Sequence, residues 1–135
     1  WMPLARQAMH NAGEQIHVAV FPTVHEMHQI ACRQYAFEGR CFVLAVGLIM
    51  TAEDLPAELL KDTPIDEHEL FLRGGSCIVA PDGSFIVEPF YDEEKILTAE
   101  IDLSMIDREK MTLDVSGHYA RPDVFAFEVN QKLRR

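Results

Sequence analysis

The chain has 135 residues, of which 48% are hydrophobic and 25% charged, with 8 Phe, 3 Tyr and 1 Trp; such a composition buries enough apolar surface to offset ordering entropy and excludes a disordered chain, and the length suits one unit rather than two. Acidic residues number 22 against 12 basic, a net charge of -10, which repels phosphate backbones and anionic lipid and argues against nucleic acid as a partner. The longest apolar runs, such as residues 41–50, fall far short of the roughly 20 residues that cross a bilayer, so no membrane partner is expected.

Pro3 suits the first turn of a helix, and Leu4, Ala5, Ala8, Met9 and Ala12 recur at helical spacing until Gly13 supplies a stop; this predicts a helix over 3–12. Residues 16–21 are a short apolar run with β-branched and aromatic character, ended by Pro22, which predicts a buried strand followed by a loop at Pro22, Thr23 and Val24. From His25 to Gly39, Met27, Ile30, Ala31 and Phe37 fall on one side of a helical wheel, predicting an amphipathic helix whose packed stripe also carries Gln34 and Glu38. A second buried strand follows over 41–47. Strand, helix and strand within a few dozen residues make the crossover unit of an α/β fold.

Residues 51–73, rich in Pro, Asp and Glu, read as a surface excursion with a short helix around 57–61. Two short strands, 76–80 and 85–88, flank Pro81, Asp82 and Gly83, whose residue types favour a tight turn, so a hairpin is predicted. Leu97, Ala99 and Ile101 alternate with Thr98, Glu100 and Asp102, the period of a half-buried strand that would extend the same sheet. Ser104 with Asp107 resembles a capping box and opens a helix through about residue 113. Residues 117–125 read as an ordered loop, and 124–129 as a last strand.

Several constellations invite a chemical reading. His25 and His28 flank Glu26, but a metal-binding pair on a helix needs spacing i and i+4 and a third ligand; no metal and no cofactor is expected. Cys32, Cys41 and Cys77 show no CxxC spacing, which fits a reducing compartment and a cytoplasmic location, as does the absence of a leader pattern. Each lies within a helix or strand run rather than at a strand-to-helix elbow, so small buried hydrophobes is the favoured reading. Glu38, on the packed side of its helix, needs a partner such as Arg33, Arg40 or an unseen group. Arg121 and Asp123 can fix a turn within the loop of His118, Tyr119, Arg121 and Pro122. The chain opens on Trp1 rather than Met, as one processed, clipped or partly covered would.

Longer stretches add a resemblance. Trp1-Met2-Pro3-Leu4-Ala5-Arg6 resembles the segment that follows the nucleophile in nitrilases, whose pattern runs Cys-Trp-Glu, one further residue, then this stretch. His25-Glu26-Met27-His28-Gln29-Ile30 and Tyr35-Ala36-Phe37-Glu38-Gly39-Arg40-Cys41-Phe42-Val43-Leu44 resemble the helix and strand after it. Gly74-Gly75-Ser76 with Pro81-Asp82-Gly83 matches the hairpin of the wider superfamily. The run from Met111-Thr112-Leu113-Asp114 through Gly117-His118-Tyr119-Ala120-Arg121-Pro122-Asp123 to Phe125 resembles the C-terminal signature of true nitrilases and is the most specific of these matches. Residues 51–73 match least.

The resemblance implies an α/β fold that is part of an αββα four-layer sandwich, with residues 1–135 as the C-terminal portion of a single carbon-nitrogen hydrolase domain. It implies a reaction in which a Cys attacks a nitrile carbon to give a thioimidate, which water converts to acid and ammonia, with a Glu as general base and a Lys stabilising charge. Those three would lie upstream of residue 1, so no catalytic residue is carried over and the chain alone is expected to be inactive and poorly soluble. Carried over as substrate-binding pocket wall are Trp1, Pro22, Thr23, Val24 and His25. Implied partners are a small-molecule nitrile and further copies of the chain, in a dimer or spiral to which residues 118–125 contribute. Cyanide hydratase or dihydratase chemistry and a noncatalytic assembly module remain the alternatives.

Overall fold

A computed structural model describes residues 2–60, 70–130 and 132. In chain order its elements are α1 (Pro3–Asn11), β1 (Ile16–Phe21), α2 (Glu26–Gly39), β2 (Phe42–Gly47), β3 (Ile49–Thr51), a 3-10 turn (Ala52–Asp54), α3 (Ala57–Leu60), β4 (Leu70–Val79), β5 (Phe85–Tyr91) and α4 (Ser104–Lys110). Pro3 occupies the first turn of α1, where its missing N–H costs nothing, and Gly13, at φ +75°, turns the chain out of the helix.

A mixed five-stranded sheet organises these elements. β1 runs parallel to β2, from Ile16 opposite Phe42 to Phe21 opposite Gly47, with α2 as the crossover. β4 is antiparallel to β2, with Ala45 opposite Cys77, and its first half pairs with β3. β5 folds back on β4 across the predicted turn, where Ala80 N–H donates to Ser84 O at 2.9 Å and Gly83 sits at φ +81°. Asp82 caps that turn by accepting from the Ser84 hydroxyl and amide, which holds its carboxyl below the usual carboxylate range.

Helices cover one face of the sheet. Val43, Ala45, Cys77 and Val79 pack there against Cys32 and Ala36 of α2, with Ala19, Phe21 and Tyr35 at the margin. At one end of the opposite face Phe42 is buried beneath Ile106 of α4, with Ile101 and Met105 beside it. The rest of that face is open: Ile16, Val18 and Val20 point away from α2 and are 41%, 58% and 75% exposed. The buried strand expected at 16–21 is therefore half-buried, because β1 ends the sheet in this chain and only its inward residues meet a helix.

Other expectations are corrected in the same way. α2 buries Cys32 and Ala36, while Met27, Ile30 and Phe37 are exposed; its packed stripe is carried by small residues and by polar ones with partners, which a wheel of large hydrophobes misses. The expected strand at 97–101 and the last strand at 124–129 have no ladder, since no neighbouring strand among the described residues reaches them. Residues 70–73, read as the end of an excursion, are the first half of β4, while 61–69 lie outside the described residues. Ser104 does not cap α4: Asp102 accepts from its amide and hydroxyl, and the helix stops at Lys110.

Arg40 ties the layers together. It sits in the left-handed region, φ 49°, at the end of α2, and is 3% exposed. Its guanidinium donates to Pro81 O at 3.0 Å, Leu113 O at 3.3 Å and Thr112 Oγ1 at 3.4 Å, lies 3.7 Å from Glu109, and stacks over the Phe37 ring at 4.2 Å. One cation thus joins α2, the hairpin turn and the segment after α4. Removing its fork leaves the buried Pro81 O and the partly buried Leu113 O without their donor, so Arg40→Ala is expected to lower stability by about 3 kcal/mol, with Arg40→Lys recovering only part because an ammonium cannot satisfy the same fan of acceptors; urea unfolding of the natural-length protein measures both.

Candidate functional site

In a parallel crossover unit, ligands collect beyond the carboxyl ends of the strands. Here that end carries the loop of Pro22, Thr23, Val24 and His25 after β1 and Leu48 after β2, which ends at Gly47. Backbone hydrogen bonds knit it shut: Leu48 N–H donates to Pro22 O (3.0 Å), Gly74 N–H to Leu48 O (3.0 Å), and Val24 N–H to Gly74 O (2.8 Å). The Arg73 amide donates to Thr23 Oγ1 at 3.2 Å, and Val24 O accepts from the Tyr91 hydroxyl at 3.1 Å and from Gln29, which also bonds Tyr91.

Glycine makes this closure possible. Gly74 and Gly75 have φ of +80° and +83° at a bulge in β4, and a Cβ on Gly75 would stand 2.6 Å from Val24 O and 2.7 Å from the Tyr91 ring. Thr23 and Val24 are accordingly buried and act as anchors, whereas Pro22 and His25 form the exposed rim. His25 starts α2, its amide donating to His28 Nδ1 at 3.2 Å, and the His28 ring leans on Phe21 at 4.8 Å. Trp1 lies outside the described residues. Alongside, a cleft of about 470 Å³ opens between Val46, Leu48, Ser76, Phe90 and residues 93–97.

A second polar cluster, which the sequence reading missed, lies where α1, β1 and α2 meet. Arg6 approaches Glu38 at 2.7 Å, so the unseen partner of Glu38 is on α1 rather than Arg33 or Arg40. Glu14 accepts from the Tyr35 hydroxyl at 2.5 Å and bonds His17 Nδ1 at 2.7 Å, and His17 stacks on Tyr35 at 4.1 Å. Burial first, and the Glu14 carboxylate second, push the Tyr35 hydroxyl up. Beside this cluster a cleft of about 460 Å³ separates α1 (Met2, Ala5, Met9) from Val18 and Val20 on the free edge of β1. No single motif announces it, because its members come from three elements.

The cysteines are buried and free, and burial pushes their thiols to about 11 for Cys32 and about 12 for Cys41 and Cys77. Thiols so placed stay protonated near neutrality and are poor nucleophiles. Among the described residues no group of three or more His, Cys, Asp or Glu is arranged to hold a metal, and no helix is long and apolar enough to cross a membrane.

The family profile of the carbon-nitrogen hydrolases matches residues 1–110. The chain belongs to that family. As a carbon-nitrogen hydrolase chain it is 37% identical over 132 residues to an aliphatic nitrilase of Sinorhizobium fredii, covering 98% of this chain and 43% of that protein. It is 35% identical to an arylacetonitrilase of Trametes versicolor, covering 97% and 42%. It spans less than half the length of these curated relatives. Its fold matches a carbon-nitrogen hydrolase from Helicobacter pylori at TM-score 0.67 and 21% identity, over 92% of this chain and 44% of that one. A Xanthomonas campestris member of the superfamily, with an arsenic adduct in its active site, matches at 0.56 and 20%, over 87% and 37%. These structural likenesses bear on the fold: the sheet with its helical layer is that of the carbon-nitrogen hydrolase superfamily.

Two outcomes are expected from this site. Gly75→Ala, strained in φ and driven into Val24 O, should cost about 2 kcal/mol or more in urea unfolding. A disulfide reagent at pH 8, read by peptide mass mapping, should leave Cys32, Cys41 and Cys77 unmodified in the folded protein and label all three once it is unfolded; rapid native labelling of any of them would overturn their assignment as packing groups.

Proposed function

We propose that this chain is the part of a nitrilase that follows the nucleophilic cysteine, supplying scaffold and pocket wall for hydrolysis of an organic nitrile to a carboxylic acid and ammonia. The observation that carries this reading is the position of α1. Arg6 reaches Glu38 of α2, and α1 stands off the free edge of β1, so the two helices share one side of the sheet. Strand–helix–strand connections are right-handed in nearly all cases, so a strand leading into α1 would pair parallel with β1 on that free edge. The residue joining such a strand to α1 stands at the carboxyl end of the sheet, beside Pro22 and His25, at the kind of elbow from which a nucleophile faces substrate. The nitrilase relatives and the buried state of Cys32, Cys41 and Cys77 support the same reading.

In that scheme the upstream thiolate adds to the nitrile carbon to give a thioimidate. One water adds and ammonia leaves, forming a thioester, and a second water releases the acid and regenerates the thiol. The upstream Glu and Lys move the protons and stabilise charge, and no metal or other cofactor takes part. Trp1, Pro22 and His25 border the substrate, with Thr23 and Val24 holding the rim in place. The exposed Tyr119 and Phe125, in the loop braced by the Arg121–Asp123 pair, serve self-association, and the protein resides in the cytoplasm.

The test is ammonia release by the natural-length protein from a panel of small nitriles that includes cyanide. Replacing the cysteine of a Cys-Trp-Glu motif encoded shortly upstream of Trp1 by Ala is expected to lower the rate by at least about a thousandfold. Activity on cyanide alone would shift the assignment to a cyanide hydratase or dihydratase. A natural protein without that cysteine and without ammonia release would make the chain a noncatalytic assembly module.

A further inference from the structure

In the cluster of α1, β1 and α2, His10 has neither a hydrogen bond nor an ion pair for its buried ring nitrogens. Its side chain is in the last turn of α1, 6% exposed, and neither ring nitrogen has a partner. The ring abuts the end of α2, where a Cβ on Gly39 would meet its Cε1 at 2.3 Å, and faces the Tyr35 ring edge-on at 4.7 Å. A glycine at 39 is therefore what admits an imidazole between the helices. Buried polar atoms are nearly always hydrogen-bonded, so a nine-tenths buried imidazole without partners marks a place where the fold retains a cost.

The groups around the ring come from every element packed on it. Arg6 is on its own helix, Glu14 on the loop that follows, His17 on β1, and Tyr35 and Glu38 on α2. Two of these carboxylates are already engaged: Glu14 by Tyr35 and His17, and Glu38 by a close ionic contact with Arg6. That contact is short but not aligned as a hydrogen bond, and the buried Glu38 Oε2 has no other donor. Attraction from Glu38 and Glu14 opposes the cost of burying a charge on His10, repulsion from Arg6 and His17 adds to it, and desolvation is the largest effect, so the neutral ring is favoured.

We propose that His10 is an acid-sensitive latch: α1 docks on α2 while the imidazole is neutral and is released when it takes up a proton. The direction follows from linkage. A histidine whose proton affinity is lower in the docked state binds its proton more tightly once α1 has opened. Docking is therefore complete above the ordinary histidine pKa of about 6.5 and weakens as pH falls below it. The opening exposes Gly39 and Tyr35 and frees Arg6 from Glu38, while the sheet, whose ladders do not involve His10, stays formed. None of this depends on the nitrile chemistry proposed above.

Hydrogen exchange on the natural-length protein at pH 7.5 and 5.5, corrected for intrinsic exchange rates, reads the latch directly. The opened fraction of α1 is expected to rise by up to about tenfold over that interval, with β2 and β4 unchanged. His10→Phe, which fills the same slot without titrating, should abolish the rise, and His10→Gln serves as a second non-titrating variant if Phe is too large. The His10 ring proton followed by NMR in the unsubstituted protein should titrate below a free histidine. PH-independent protection of α1, an undiminished rise in a folded variant, or a His10 midpoint at or above that of a free histidine would each overturn the proposal.

Discussion

The fold hangs on the close approach of β4 to the loop after β1. Val24 donates to Gly74 and Leu48 bridges Pro22 and Gly74, so three chain segments distant in sequence share one hydrogen-bonded seam at the carboxyl end of the parallel pair. Such a seam needs a backbone with no side chain at the crossing. Gly74 and Gly75 supply it in the left-handed region, and Gly47 does so from the other side, where a Cβ would stand 1.9 Å from Gly74 O. Once the seam is formed, Tyr91 and Gln29 hold Val24 from β5 and α2, and the loop becomes a fixed wall rather than a mobile connection.

Two polar assemblies then set the helices against the sheet, and they work differently. Arg40 is a cation supplied with three acceptors and a nearby carboxylate, so its burial is offset wherever these partners are in place. The cluster of Glu14, His17, Tyr35, Arg6 and Glu38 balances charge among several titratable groups, with His10 left over. The first assembly fastens the end of α2 to the hairpin and to the segment after α4. The second positions α1. Rigidity at the sheet's carboxyl end and adjustability at α1 thus reside in separate parts of one small structure.

What the sequence made legible was local. Apolar runs of strand length, Pro3, Gly13, Pro22 and the Pro81-Asp82-Gly83 turn set the boundaries of α1, β1 and the hairpin, because those signals act within a few residues. The stripe of α2 was misread since Gln29 and Tyr35 face inward with partners supplied by Val24 and Glu14, which no helical wheel contains. Alternation at 97–101 was real as a pattern, but a strand also needs a neighbour, and pattern alone does not provide one. The loop of Pro22 to His25 was found from its proline and its resemblance to nitrilases, whereas its fastening to Gly74 and Tyr91 depends on contacts across the fold. The cluster around His10 escaped for the same reason, being assembled from α1, β1 and α2.

The hairpin also differs from the parallel pair in how far apart its partners lie along the chain. Val79 meets Phe85 across a tight turn, a closure that forms on a microsecond scale, while Ile16 finds Phe42 only from the far side of a whole helix. Arg33 donates to Gly83 O at 2.7 Å and Arg40 to Pro81 O, so α2 is fastened to the turn of the hairpin as well as packed on the sheet. On a ribosome emitting the chain from its amino end, the rim is synthesised early and must wait for residues made much later before it can acquire its shape.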